Sequence, residues 1–232
     1  MPDNEKVTQL LADSNLAFLN GQNETALNLA KQAIKQEPKN PNAYKSAANA
    51  CMSLERYDEA VKHYSEAVKY DKNNGNRYYD LGYALATTEK LADAMKSFAK
   101  AEEIGCSPEN ITQLYNILGM ICFDIGRYDD ALVNLNKAEQ IIGVDLEIMQ
   151  RKAVIYGIKE DTRNALHTTN QIKMIAPSDY MGYQLAFRIL CQENHLDIAE
   201  KELEKARNQT ESVFNELRVN STNSSFDIIY KI

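Results

Sequence analysis

The fold turns on two neighbouring runs, Tyr44-Lys45-Ser46-Ala47-Ala48 and, one turn later, Arg56-Tyr57-Asp58-Glu59-Ala60-Val61-Lys62-His63-Tyr64-Ser65-Glu66-Ala67. A large aromatic residue is followed four positions on by a small one. After the turn comes an acidic stretch, an alanine, a bulky residue four further on, and a second alanine at seven. Apolar residues spaced by three and four lie on one face of an α-helix, so the stretch reads as two amphipathic helices of about fourteen residues. A two- or three-residue turn between them makes the pair antiparallel.

Working outward, the same order of residues recurs. Tyr78, Leu81-Gly82, Ala94, Phe98 and Ala101 repeat it, as do Tyr115, Leu118-Gly119, Ala131, Leu135 and Ala138. The pairs seven apart run Ala26/Ala33, Ala60/Ala67, Ala94/Ala101, Ala131/Ala138, Ala165/Ile172 and Ala199/Ala206, with the second member enlarged in the fifth. Their first members are separated by 34 residues, except for one interval of 37. A fixed period of that length marks a stack of hairpins, each too small to bury its own apolar face. Small residues belong where two helices cross closely, because the side chains at a crossing set the distance between the axes. On this reading Ala48, Gly82, Gly119 and Ala153 face Ala60, Ala94, Ala131 and Ala165. Gly21 and Gly126 stand where a left-handed cap ends a first helix, and Glu55, Glu89, Glu160 and Asn194 hold the same place in the other repeats.

These residues resemble the tetratricopeptide repeat, with Tyr in the Trp place of its W-x2-L-G-x2-Y pattern. The resemblance implies an all-α, right-handed α-solenoid of antiparallel helix pairs. Its repeats fall at 7–40, 41–74, 75–108, 112–145, 146–179 and 180–213, giving a repeat domain over 1–213. A capping helix and apolar tail are expected over 214–232, where Val213, Phe214 and Leu217 lead to Phe226-Asp227-Ile228-Ile229-Tyr230-Lys231-Ile232. The three extra residues between repeats three and four, in Gly105-Cys106-Ser107-Pro108-Glu109-Asn110-Ile111, imply a longer connection there. Phe187, where other repeats carry Ala or Gly, implies splayed helices or a filled space at the end of the stack.

In that family the first helix of each pair lines the concave surface. Carried over position by position, this gives a peptide groove of Asn15, Lys45, Asn49, Asn76, Tyr79, Tyr83, Asn116, Met120, Phe123, Gln150, Arg151 and Arg188. The amides suit the alternating carbonyl and N–H groups of an extended peptide. Tyr79, Tyr83, Met120 and Phe123 form an adaptable apolar centre. The arrangement that clamps the C-terminal carboxylate of chaperones is only half present. Lys45 and Asn49 fit it, but Asp80 replaces an Asn and repels a carboxylate, and Gln113 and Ile117 replace a basic pair.

The composition is consistent with this. Nine glycines and five prolines among 232 residues are too few for a turn-dense β-protein or a low-complexity chain. A formal charge of −7 offers no basic face for nucleic acid or an acidic membrane surface. Cys51, Cys106, Cys122 and Cys191 lack metal-ligand or disulfide spacing, and Cys51 and Cys122 share a buried repeat position with Leu85 and Tyr156. His63, His167 and His195 are scattered, so no metal, cofactor or catalytic group is expected. Met1-Pro2-Asp3-Asn4-Glu5-Lys6 is not an export signal, and no run approaches the ~18 apolar residues of a membrane span, which implies the cytoplasm. The expected role is non-catalytic: a scaffold or adaptor holding a peptide segment of a partner protein. Two alternatives stay open, a substrate-targeting or regulatory domain of a larger enzyme, and a scaffold that self-associates through its end helix or tail.

Overall fold

The computed structural model describes residues 3–209. Those residues form helices and no strand. The first helices of the hairpins are α1 (Asp3–Leu19), α3 (Pro41–Ser53), α5 (Gly75–Thr87), α7 (Pro108–Asp124), α9 (Leu146–Ile158) and α11 (Tyr180–Gln192). The second helices are α2 (Asn23–Gln36), α4 (Tyr57–Tyr70), α6 (Leu91–Ile104), α8 (Tyr128–Ile142), α10 (Thr162–Ile175) and α12 (Leu196–Gln209). Packing divides the chain into two compact units that part between Leu118 and Gly119. In the first, each helix from α1 to α6 packs on the next and α1 also meets α3. In the second, α8 to α12 pack in the same sequential way and α9 also meets α11. The segment expected to cap the array, 214–232, lies outside the described residues.

Each hairpin turn is built alike. The second residue past the first helix has a positive φ: +73° at Gly21, +58° at Glu55, +57° at Glu89, +74° at Gly126, +57° at Glu160 and +58° at Asn194. In the second hairpin the Glu55 N–H reaches the Met52 carbonyl at 3.0 Å and the Arg56 N–H reaches Cys51 at 2.9 Å. That double closure satisfies carbonyls the helix end leaves open. The longer of the two bonds in chain terms recurs from Gln22 to Ala17, Lys90 to Leu85, Arg127 to Cys122, Asp161 to Tyr156 and His195 to Leu190. A run of ion pairs crosses these turns from one repeat to the next: Arg56 to Glu24 at 2.6 Å and Lys90 to Asp58 at 2.7 Å in the first unit, Lys159 to Asp129 in the second. All are largely solvated, and such pairs contribute about 0–1 kcal/mol each.

The alanine pairs are buried throughout, from Ala26 and Ala33 to Ala199 and Ala206. The crossing glycines also make room for larger side chains, and a Cβ on Gly119 would lie 3.6 Å from the carbonyl oxygen of the expected Ala131. A Cβ on Gly82 would lie 2.8 Å from the Phe98 ring, and one on Gly119 would lie 2.9 Å from the Leu135 side chain. Side chains lean toward the start of their own helix, so in an antiparallel pair the groups that meet are offset by about a turn. Gly182 explains the enlarged Ile172: a Cβ there would sit 2.9 Å from Ile172 Cγ2, and the missing methyl makes the room. Phe187 is half-buried.

The expected long connection between repeats three and four does not form. Only residues 105–107 join α6 to α7, and the inserted residues lengthen α7 to 17 residues against 13 in α3, α5, α9 and α11. The cause is local. Pro108 is favourable in a first helical turn, and Ser107 caps it, its hydroxyl accepting from the Asn110 N–H at 3.4 Å.

Candidate functional site

In the first unit the inner residues are held by their neighbours. Ser46 Oγ donates to Asn15 Oδ1 at 3.3 Å, and the Tyr64 hydroxyl donates to Asn49 Oδ1 at 2.6 Å. Asn76 Oδ1 accepts from the Ser107 N–H at 2.9 Å and from Asn110 Nδ2 at 3.0 Å, while Asn42 Oδ1 accepts from the Arg77 guanidinium. A backbone N–H and a guanidinium only donate, so the oxygens of Asn76 and Asn42 must be the groups engaged. The row of amides therefore ties successive elements together through its oxygens. The amino groups of Asn15 and Asn49 are the donors this leaves for a ligand. Asn116 lies half-buried on α7.

Tyr79 and Tyr83 part company. Tyr79 is only 8% exposed, its ring tilted against Phe98 with centroids 6.0 Å apart and its hydroxyl donating to Gln113 Oε1 at 3.1 Å. Burial, reinforced by Asp80 and Tyr83, pushes its phenol up to about 12. Tyr83 is 46% exposed and is the aromatic surface this unit presents. Lys45 pairs with Asp80, Nζ to Oδ2 at 2.9 Å. That oxygen is buried and lacks a well-angled hydrogen bond, so the contact is chiefly one of charge. Burial pushes the Asp80 carboxyl up and outweighs the opposing pull of Lys45 and Arg77. Lys45 is thus engaged by the residue that also spoils the carboxylate clamp.

In the second unit the predicted residues come together. A groove of about 1050 Å³ is lined by Met120, Phe123 and Asp124 at the end of α7, by Glu147, Gln150, Arg151, Val154 and Ile158 of α9, and by Met181, Gln184, Leu185 and Arg188 of α11. Its volume is at the upper end of the range for small-ligand sites, enough for a few residues of extended chain. Met120 is 43% exposed, and Phe123 is braced edge-on by Tyr128 at 5.8 Å. Gln150 Nε2 donates to Asp179 Oδ2 at 3.2 Å, and Arg151 is paired with Glu147 at 2.5 Å. Val154, Ile158, Met181 and Leu185 are lining residues that sequence reasoning missed. Their signal was the helical spacing from Gln150 and Arg151, and from Gln184 and Arg188, on the same stripe. The Lys45–Asp80 and Asn42–Arg77 pairs, each about one repeat apart, were also legible as complementary groups at one period.

Among the described residues no three His, Cys, Asp or Glu side chains are placed to hold a metal ion. No helix there is long and apolar enough to cross a membrane. Burial pushes the thiols of Cys51, Cys106, Cys122 and Cys191 up, which suits packing better than nucleophilic chemistry.

Antiparallel hairpins with left-handed turns, small residues at each crossing and an inner face built from first helices define a helical-repeat protein of the solenoid class. Profiles of the tetratricopeptide repeat match residues 17–81, 52–111 and 112–143, and the chain belongs to the tetratricopeptide repeat family. No curated protein matches it. Among solved structures it is similar to YrrB, described as a TPR protein with an unusual peptide-binding site: TM-score 0.68, 19% identity, 83% of this chain and 97% of that one covered. It is also similar to the C-terminal part of a TPR repeat-containing protein from Cytophaga hutchinsonii, with TM-score 0.73, 16% identity, and 91% and 80% covered. A third is pilF of Pseudomonas aeruginosa, with TM-score 0.67, 13% identity, and 95% and 100% covered. At these identities the likeness is one of fold.

Proposed function

We propose that this chain is a non-enzymatic interaction module that holds an extended segment of a partner protein against the inner faces of its first helices. The observation that carries this reading is the groove of the second unit, where Met120, Phe123, Val154, Met181 and Leu185 give an apolar bed and Gln150, Gln184 and Arg188 supply polar groups beside it. An apolar bed with a few fixed polar groups provides affinity through burial and register through hydrogen bonds. In the first unit, the exposed ring of Tyr83 and the amino groups of Asn15 and Asn49 offer similar chemistry. Donors there suit the carbonyls of a peptide backbone. YrrB, which shares the fold, is described as having a peptide-binding site, and this supports the reading by analogy.

The test is capture from native lysate by the full chain, in parallel with a Met120→Ala, Phe123→Ala double variant shown to be folded by circular dichroism. A partner retained by the first and lost by the second is the expected result. The same partner held equally by both removes the groove from the account.

A further inference from the structure

The repeat places residues 34 apart at equivalent positions, so Met120, Val154 and Arg188 occupy one row across α7, α9 and α11. Two members of that row are apolar and the third is a guanidinium. The groove's other guanidinium, Arg151, is already neutralised by Glu147 at 2.5 Å. Arg188 makes no ion pair among the described residues, although it is half-buried on the same wall as Leu185 and Ile189. A cation beside apolar walls is poorly screened, and a guanidinium so placed is best satisfied by a planar carboxylate that accepts two parallel N–H bonds.

The rest of the lining limits how much negative charge is welcome. Asp124, Glu147, Glu160 and Glu193 stand against Arg151 and Arg188, so the groove as a whole is negative. A run of acids or a phosphate dianion meets more repulsion than one guanidinium offsets. The lining also includes Gln192 and Glu193, beyond Arg188 on α11, so the guanidinium is not the edge of the groove and leaves surface for a chain that does not end there.

We propose that the second unit's groove selects a peptide segment carrying a single internal Asp or Glu among large apolar residues, with neutral or basic flanks, and that Arg188 receives the carboxylate. This rests on the groove-binding reading above and adds the chemistry of its ligand.

The test uses random dodecapeptides displayed with no free C-terminus, selected on the full chain and, separately, on the Met120→Ala, Phe123→Ala variant. Sequences enriched on the first and lost on the second are expected to share one acidic residue among apolar ones. A synthetic copy, followed by fluorescence anisotropy, loses about tenfold in affinity when its acid becomes the amide, and loses about as much against Arg188→Gln. The two losses do not add, Arg188→Lys falls between, and Arg188→Glu prefers a copy with Lys in place of the acid. Groove-dependent peptides with no acidic residue, or with affinity unchanged by Arg188→Gln in a folded protein, overturn this inference and leave the groove reading standing. A phosphoserine copy that binds more tightly than the Asp copy overturns the single-carboxylate assignment. If no enriched peptide depends on Met120 and Phe123, the groove reading fails and this inference with it.

Discussion

Glu55 and Glu89 close two hairpin turns of the first unit in a left-handed backbone conformation, φ +58° and +57°, and replacing each by glycine is expected to stabilise the protein. A side chain in that conformation costs roughly 1–2 kcal/mol through the clash of Cβ with the following carbonyl oxygen. Glycine escapes the clash but gives up roughly 0.5–1 kcal/mol through the greater freedom of its unfolded chain. The difference is a gain of about 0–1.5 kcal/mol per turn, centred near 0.75. Both glutamates are exposed, so little side-chain contact is lost. Gly21 gives the mirror experiment, because its φ is +73° and an added Cβ would find no heavy atom within 4 Å beyond the glycine itself and its chain neighbours. Gly21→Ala isolates the conformational effect and is expected to destabilise by about 1 kcal/mol. Urea denaturation followed by far-ultraviolet circular dichroism reads both: the Glu55→Gly, Glu89→Gly variant moves the midpoint up and Gly21→Ala moves it down, with the slope unchanged. Glutamate-to-glycine changes that destabilise as much as Gly21→Ala would refute the reasoning, since the turn would then depend on the side chains and not on the backbone. Glu160 is left out of this test because it lines the second unit's groove.

Tyr79→Ala empties a buried site and is expected to cost about 3–5 kcal/mol in denaturant titration, whereas Tyr83→Ala changes stability by about 1 kcal/mol or less and acts instead on partner capture. Glu202 and Asp80 predict opposite pH behaviour. Glu202 is buried, which raises its carboxyl, but Lys173 at 2.5 Å and Lys205 at 2.6 Å more than reverse this and hold it low. A lowered folded pKa contributes stability above the ordinary glutamate range that is lost as pH falls through the folded value, so Glu202→Gln is expected to cost about 3 kcal/mol at pH 7, a deficit that shrinks in acid. Burial holds Asp80 high, so its ionised form works against folding, and Asp80→Asn should raise the urea midpoint at neutral pH with the gain fading below the raised pKa.

Much of the fold was legible because each repeat has to solve the same packing problem. The alanine pairs, the six turn positions and the burial of Cys51, Cys122 and Leu85 all follow from one period imposed on helices that cross closely, whereas Tyr156 at the same repeat position is only half-buried. What was not legible depended on contacts made across the chain. The insertion lengthens α7 through Pro108 and the Ser107 cap, and the start of that helix is tied to Asn76, some thirty residues earlier, by Ser107 and Asn110, a tie that no local pattern announces. The inner amides looked ligand-facing because their period matched the first helices. Their oxygens are instead engaged by partners 15 to 35 residues away in the chain, such as Tyr64 for Asn49 and Arg77 for Asn42. Tyr79 and Tyr83, one helical turn apart, seemed equivalent. Phe98 and Gln113 close over the first and leave the second open. The second unit's groove was read better because its key residues are large and apolar, or guanidinium, and their helical stripe alone places them together.

Helix α7 bears on how this protein can be taken apart. It runs unbroken from Pro108 to Asp124, yet the packing divides between Leu118 and Gly119. Cleavage at that division severs a helix in mid-course and frays both stumps. Cleavage before Pro108 parts the buried Leu114 and Leu118 from the rest of the unit to which they belong, and cleavage after Gly126 does the same to the buried Ile121 and Cys122. Either fragment then carries a bare oily stripe and is expected to clump. The repeats can be counted separately, but they cannot be harvested that way, and truncation series would report the wound and not the domain.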